Sequence, residues 1–412
     1  MADGLAARAA ALAALNAVLG EGLMLSEIPE PALPPQDRAR ARRLADEVLR
    51  RIEPADRLLD KLLRKSPPLA LRNILRLGVV EMALGAAPHG VVNAAVALAR
   101  QNMKTRHMSG LVNAVLRGVD PAQLLAAPVQ KMPRWLRQPL VHAWGREAVQ
   151  AMETVFAAAP PLDLTLKDNA AGDLPEGLRL ATGSLRLTDP GRISGLPGYE
   201  AGHWWVQDMA AAMPARLLDA KPGERVLDLC AAPGGKTMQL AASGADVTAL
   251  DISPARMRRV EENLARTGLQ AQLVTADALH WQPEEKFDAI LLDAPCSASG
   301  TIRRHPDLPY LGDGSEIAGL AALQSALIDR ALEWLVPGGR LVFATCSLFP
   351  EEGEMQMDAA LERHPGLTPE QPDLPGIDPA WWLRPGGLRL RPDYLADQGG
   401  MDGFFMMRLR KA

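Results

Sequence analysis

The chain has 412 residues, 48% of them hydrophobic and 23% charged, with a formal net charge of −4. At roughly 150 residues per domain this length allows two or three domains, and the composition excludes wholesale disorder. Three widely spaced cysteines, Cys230, Cys296 and Cys346, exclude a disulfide scaffold. No uncharged apolar run reaches the ~18 residues that a membrane span needs. The alanine-rich N-terminus has neither a basic leading region nor a small-residue cleavage site, so it reads as a helix and not as a signal peptide. The expected setting is cytoplasmic, with no membrane partner.

The charge is divided. Residues 1–140 carry 20 Lys and Arg against 12 Asp and Glu, a balance of +8, and the remainder carries 25 against 37, a balance of −12. A basic third on an acidic remainder points to two tasks, the first being contact with a polyanion. A solvated Arg-rich helical surface explains the same numbers, and Arg38, Arg40, Arg42 and Arg43 alone do not decide between them.

Residues 1–125 read as five to seven helices of an all-α bundle. Apolar positions recur at three- and four-residue steps, as at Leu44, Val48, Leu49 and Ile52. Pro54, Pro67–Pro68 and Pro88 punctuate them, and Pro88–Asn93 reads as a helix start. Residues 126–204 form a second region. Further helices run to Pro160–Pro161, followed by short alternating pieces (LDLTLKDN, LRLATGSLRLTD) of a small α+β linker domain. From 205 to 412 short apolar strands alternate with helices, the pattern of βαβ units in a doubly wound α/β sheet of Rossmann-like type. The late runs LRLRP and GFFMMRLR are placed to close that sheet with an antiparallel hairpin. The pairs Trp204–Trp205 and Trp381–Trp382 read as core or interface residues rather than as base-stacking platforms.

The first α/β strand runs from Val226 into Cys230, Ala231, Ala232, Pro233, Gly234, Gly235, Lys236 and Thr237, a Gly-rich turn that opens a helix. Such a turn presents bare backbone N–H groups to a nucleotide-like ligand. The dinucleotide pattern G-x-G-x-x-G is absent, and a phosphate loop would need glycine where Cys230 stands. The remaining reading is S-adenosylmethionine. Asp251 ends the second strand, 23 residues after Asp228, near the ~20-residue offset of a ribose-binding acid. Asp277 after the third strand is placed for the adenine.

Cys296 follows the fourth strand in Asp293-Ala-Pro-Cys-Ser, and Cys346 ends the fifth in Ala-Thr-Cys-Ser. If those strands are neighbours, both thiols lie at the carboxyl edge, where this fold places its chemistry. Two thiols and an aspartate beside a methyl donor suit covalent catalysis on a pyrimidine: a thiolate adding to carbon 6 makes carbon 5 nucleophilic. A single cysteine in such a place is ordinarily a small buried hydrophobe, and Cys230 reads that way. No Cys/His spacing suggests a metal.

The segments CAAPGGKT, DAPCSASG followed by IRRHPD, and ATCSLFPEEGE resemble the Nol/Nop/Sun group of RNA 5-methylcytosine methyltransferases. The stretches LRLGVVEMALGAAPHGVVNAAVALAR and SGLVNAVLRGV resemble the NusB-like RNA-binding domain. Together they resemble the bacterial small-subunit (16S) rRNA cytosine-C5 methyltransferase family, the RsmB/Fmu/Sun type, over nearly the whole chain. The resemblance implies Cys346 as nucleophile, Cys296 as the thiol that assists release, Asp293 at the cytosine ring edge, and Lys236 holding the loop and that aspartate. It implies a cofactor site of residues 230–236, Asp251, Asp277 and Asp293. The protein is expected to work as a monomer on rRNA, with Arg303, Arg304 and His305 as RNA contacts. The same reaction on tRNA, and a non-enzymatic antitermination-like RNA-binding factor, are the alternatives. The sequence departs from the family pattern at Lys167 and Asn169, where Arg-x-Asn is usual, and at Met401, where His is frequent.

Overall fold

The computed structural model describes residues 4–167 and 173–412. They form two compact units: 4–159 with 302–314, and 160–301 with 315–412. Among the described residues no helix is long and apolar enough to cross a membrane.

The first unit is helical. It contains α1 (Leu5–Asn16), α2 (Pro35–Leu49), α3 (Ile52–Asp60), α4 (Leu69–Ala83), α5 (Pro88–Gln101), α6 (Ser109–Arg117), α7 (Ala122–Leu125), α8 (Arg134–Trp144) and α9 (Arg146–Phe156). Proline opens α2 and α5 at their first positions, where its missing N–H costs nothing. The periodic residues Leu44, Val48, Leu49 and Ile52 all enter one core, although the chain breaks between α2 and α3 before Ile52. Helix α4 is buried nearly all round. Its Glu81 takes two hydrogen bonds from the buried Arg8 guanidinium, at 2.7 and 2.6 Å, and one from Arg40 at 3.0 Å. Gly78 faces Leu116, leaving no space for a β-carbon.

The second unit begins with β1 (Leu162–Leu166), β2 (Leu178–Arg179), β3 (Leu185–Leu187) and β4 (Trp204–Val206), an antiparallel sheet in the order β2-β3-β1-β4. Trp204 and Trp205 are buried in β4, their indole N–H groups donating to Pro197 O and Gln207 Oε1. The chain continues through α10 (Met209–Leu218), β5 (Arg225–Leu229), α11 (Gly235–Ala242), β6 (Asp246–Asp251), α12 (Pro254–Thr267), β7 (Gln272–Thr275), β8 (Phe287–Asp293), α13 (Ile317–Trp334), β9 (Leu335–Thr345), α14 (Glu354–Arg363), β10 (Leu367–Glu370), β11 (Trp382–Leu383), β12 (Gly387–Leu390) and β13 (Phe404–Lys411). The main sheet runs β7-β6-β5-β8-β9-β13-β12-β11, with β10 also paired to β13. Strands β5 to β9 run parallel to one another, and the late runs add β13 antiparallel to β9 and β12 antiparallel to β13. Buried apolar residues line both faces, as a sheet sandwiched by helices requires.

The units do not part where the sequence pattern suggests. The 126–204 stretch divides at 159/160. Helices α8 and α9 stay with the first unit because Arg50 donates to Phe156 O and Gln130 to Leu49 O. The small sheet joins the second through Asp163. That carboxylate takes Arg186 Nε and Nη2, both at 2.7 Å, and Met209 N at 3.0 Å, while Arg186 also reaches Gln398 O. A break at 204/205 would cut β4 in two.

Asp163→Ala leaves a guanidinium only 3% exposed without its partner. It is expected to cost about 3–5 kcal/mol of stability in urea denaturation of the full chain. A cost below about 1 kcal/mol would show that water or other acceptors replace the pair.

Candidate cofactor and active site

Strand β5 lies between β6 and β8 at the centre of the sheet, and its end builds the first part of the site. Cys230 turns the chain with φ 65°, Ala231 N donates to Leu250 O at 3.0 Å, and Gly234 at φ 98° opens α11. A β-carbon on Gly234 would sit 3.1 Å from Val260 Cγ1. Beneath the turn, Asp228 is fully buried and accepts from Thr237 Oγ1 at 2.6 Å. Burial raises its carboxyl to about 7 against the opposing effects of Thr237 and Lys236. Its second oxygen has no partner. Cys230 packs against the core as expected, and burial pushes its thiol up, with Asp293, Asp251 and Asp228 adding to the shift.

Three further acids stand at the same edge. Asp251 ends β6; its oxygens accept from Ala232 N at 3.1 Å and Ser253 N at 3.0 Å, which ties the loop to the next strand. Asp277 follows β7, partly exposed, and accepts from Leu279 N. Asp293 ends β8 and accepts from Lys236 Nζ at 2.7 Å, and the same ammonium lies 5.3 Å from the Phe404 ring centre. Lys236 therefore bridges the loop and the aspartate.

The thiols meet next to this pair. Register pairs Asp293 with Ala344 across β8 and β9, so Cys296 and Cys346 leave adjacent strand ends. Their sulfur atoms are 3.5 Å apart. Gly300 N donates to Cys346 O at 2.9 Å and Gly300 O accepts from Gly403 N at 2.8 Å; no β-carbon fits at Gly300. The Cys296 thiol is pushed well above the ordinary thiol range, first by its hydrogen bond to Cys346, then by burial, then by the charges of Cys346 and Glu352.

Sequence reasoning missed two groups beside the thiols. Glu352, fully buried, hydrogen-bonds both cysteine loops. Arg389 on β12, 2% exposed, donates to Ser347 O at 2.6 Å while paired with Glu354. Glu352 lies within the quoted ATCSLFPEEGE motif, but there Glu351 and Glu352 look alike; only the fold exposes one and buries the other.

The RNA-contact expectations need correction. The chain crosses into the helical unit at Ile302, carrying all three residues with it. Arg303 is fully buried, and its carbonyl accepts from Arg50, so no phosphate reaches its guanidinium. Burial, and then the charge of Arg304, lowers His305 to about 4, leaving it uncharged at neutral pH. Arg304 is exposed. Of the departures, Lys167 Nζ donates to Thr267 O, Met401 is buried in the core, and Asn169 lies outside the described residues.

The profile of the family described as 16S rRNA methyltransferase RsmB/F matches residues 215–410, and that of the NusB family residues 5–121. A ribosomal RNA small subunit methyltransferase B of Klebsiella pneumoniae subsp. pneumoniae is 35% identical over 422 aligned positions, covering 90% of this chain and 95% of the relative. The chain belongs to the 16S rRNA methyltransferase RsmB/F family. A second relative of the same name, from Pseudomonas syringae pv. tomato, is 36% identical and covers 98% of this chain and 96% of its own. Among solved structures, a methyltransferase homolog protein from Pyrococcus horikoshii superposes with a TM-score of 0.55 at 29% identity, over 72% of this chain and 97% of that one.

S-adenosylmethionine is the cofactor of this family, and the donor set fits it. A ribose diol, an adenine amino group, an ammonium and a sulfonium are donors or cations, and Asp251, Asp277 and Asp293 stand as acceptors at the ends of β6, β7 and β8. A phosphate would instead face that acidic row with Lys236 already paired to Asp293. Gly234→Ala is expected to weaken cofactor binding by about tenfold or more and to lower Tm, because it combines a positive φ with the Val260 contact. Calorimetric titration with S-adenosylmethionine checks this; unchanged affinity would mean the loop relaxes freely.

Proposed function

We propose that the protein transfers a methyl group from S-adenosylmethionine to carbon 5 of a cytosine in small-subunit rRNA, through a bond from Cys346 Sγ to carbon 6. The observation that carries this is the pair of thiols 3.5 Å apart at adjacent strand ends, beside the Lys236–Asp293 pair. A single buried thiol would be packing, whereas two facing each other at the carboxyl edge form a reactive centre. The bound cofactor supplies an electrophilic methyl group. The Cys346 thiolate adds to carbon 6 and hands carbon 5 the electron pair it needs for attack. Asp293, held by Lys236, hydrogen-bonds the ring edge and favours its protonated form. After transfer, carbon 5 carries both a proton and a methyl group. A base takes the proton, the carbon 5–carbon 6 double bond re-forms, and the Cys346 thiolate leaves.

Cys296 is assigned to that release. In the free protein its thiol keeps its proton, chiefly because of Cys346. Once Cys346 sulfur is bonded to carbon 6 it bears neither charge nor proton, and its two contributions vanish. Cys296 then gives up its own proton to solvent more readily, and its thiolate can take the carbon 5 proton, as coupled titration allows. The cytosine must leave its stack to reach these groups.

The names of the relatives favour small-subunit rRNA, and the basic helical unit suits a polyanion. Many of its arginines are consumed by ion pairs, including Arg42 with Asp46, Arg72 with Asp56 and Asp60, and Arg76 with Asp56. Lys61, Arg64 and Lys65, exposed after α3, are assigned to phosphates. Replacing all three by alanine is expected to weaken rRNA binding and to lower the slope of log affinity against log salt by about two, at roughly 0.7 per phosphate contact. An unchanged slope would move the contacts elsewhere.

The deciding experiment supplies tritiated S-adenosylmethionine with unmodified small-subunit rRNA, and tRNA in parallel, followed by nucleoside analysis. Label in 5-methylcytosine from rRNA is expected. Label from tRNA alone would overturn the substrate; no label with no cofactor binding would revive the antitermination-like reading. Cys346→Ala is expected to abolish turnover with little change in Tm. Cys296→Ala is expected to accumulate an RNA–protein adduct on denaturing gels, and the opposite assignment of the adduct would exchange the two roles.

A further inference from the structure

One carboxylate joins the loops that carry the two thiols. Glu352 follows β9 and is fully buried. Its Oε1 accepts from Ser297 N at 2.9 Å and from Gln324 Nε2 at 3.1 Å. Its Oε2 accepts from Ser297 Oγ and from Ser347 Oγ, both at 2.6 Å. Ser297 is the residue after Cys296 and Ser347 the residue after Cys346. The Glu352 carbonyl also accepts from Thr345 Oγ1 at 3.0 Å, on the other side of Cys346. Gln324 of α13 shares its amide between Glu352 and Pro295 O, the carbonyl just before Cys296.

A buried carboxylate is costly unless its acceptor sites are filled. Here four donors fill both oxygens, two from the Cys296 loop or its neighbour in sequence, one from the Cys346 loop and one from α13. Such a saturated site has one orientation, and both serines inherit it. The backbone bonds Gly300 N to Cys346 O and Ala294 N to Ala344 O set how the loops run. Glu352 sets the residues next to the sulfurs.

We propose that Glu352 is a positioning residue for the methyl-transfer reaction, clamping Ser297 to Ser347 so that the Cys296 and Cys346 sulfurs face one another and the incoming base. The inference rests on the proposed cytosine chemistry. Because Gly300 and Ala294 keep their own bonds, loss of the carboxylate loosens the thiol pair without unfolding the sheet. Glutamine can keep the geometry. Its oxygen takes the two nitrogen donors, and its amide donates to serine hydroxyls that rotate to accept.

The test compares Glu352→Ala and Glu352→Gln with wild type in single-turnover methylation of rRNA, with cofactor Kd and RNA KM measured alongside. A second readout needs no activity: phenylarsine oxide bridges two neighbouring thiols, so the rate of that bridging reports how the sulfurs face each other. For Glu352→Ala the expected result is cofactor Kd and RNA KM within about threefold of wild type, single-turnover methylation about a hundredfold slower, and slowed arsenical bridging. Glu352→Gln is expected to recover most of both. Wild-type methylation or bridging by Glu352→Ala would overturn the proposal. So would equal loss of methylation in both variants with bridging intact, since the carboxylate would then act by its charge. If Glu352→Ala loses cofactor binding and its Tm, the paired change Ser297→Ala with Ser347→Ala decides by the same criteria. Failure of the wild-type protein to make 5-methylcytosine would refute the functional reading instead, and the bridging readout keeps the two failures apart.

Discussion

In the register that pairs Asp293 with Ala344, parallel strands β8 and β9 end side by side. The proposed chemistry of this protein depends on that pairing. Asp293 and Cys296 leave one strand, and Cys346 and Ser347 leave the next. A slip of one residue would turn Asp293 to the other face and part the sulfurs. The register is secured on both flanks, by β5 against β8 and by the long antiparallel β13 against β9. The sheet's edge is thus held by strand pairing, and the loops beyond it are tied together through Glu352, Arg389 and Gly300.

Charge is distributed along this edge with a purpose. The acids Asp251, Asp277 and Asp293 lie at the ends of successive strands and suit a cofactor rich in donors. Lys236 lies among them on α11 and is committed to Asp293. These acids belong to the part of the chain whose balance is −12, and the +8 of residues 1–140 belongs to the helical unit. Within that helical unit, arginine serves two ends: Arg8, Arg50 and Arg76 are buried in hydrogen bonds that hold helices together, and only the exposed remainder is available to phosphate.

The chain crosses between the units more than once. After Cys296 it leaves the methyltransferase unit at Ile302 and returns at Ser315. In between it contributes Asp307, whose carboxylate accepts from Leu25 N, and Tyr310, which is hydrogen-bonded to Gln130 and Leu49 O. The loop that carries Cys296 is thus covalently continuous with a segment built into the helical unit. This also explains why Arg303 is a structural residue.

Local pattern made much of this protein legible. Helical periodicity, proline punctuation and the βαβ alternation gave the elements, and CAAPGGKT, DAPCS and ATCS marked the strand ends to which the chemistry is assigned. These signals survive in sequence because each is set by neighbours a few residues apart. What only the tertiary structure decided involves residues far apart in the chain. The unit boundary at 159/160 follows from bonds such as Arg50 to Phe156 O. The burial of Arg303 beside exposed Arg304 follows from a chain crossing that no local pattern announces. Glu352 differs from Glu351 only because β8, β9 and α13 converge on it. Residue types and spacings determined what chemistry was available; the long-range packing decided which of those groups meet, because burial and hydrogen-bond partners are properties of the folded chain and not of any segment within it.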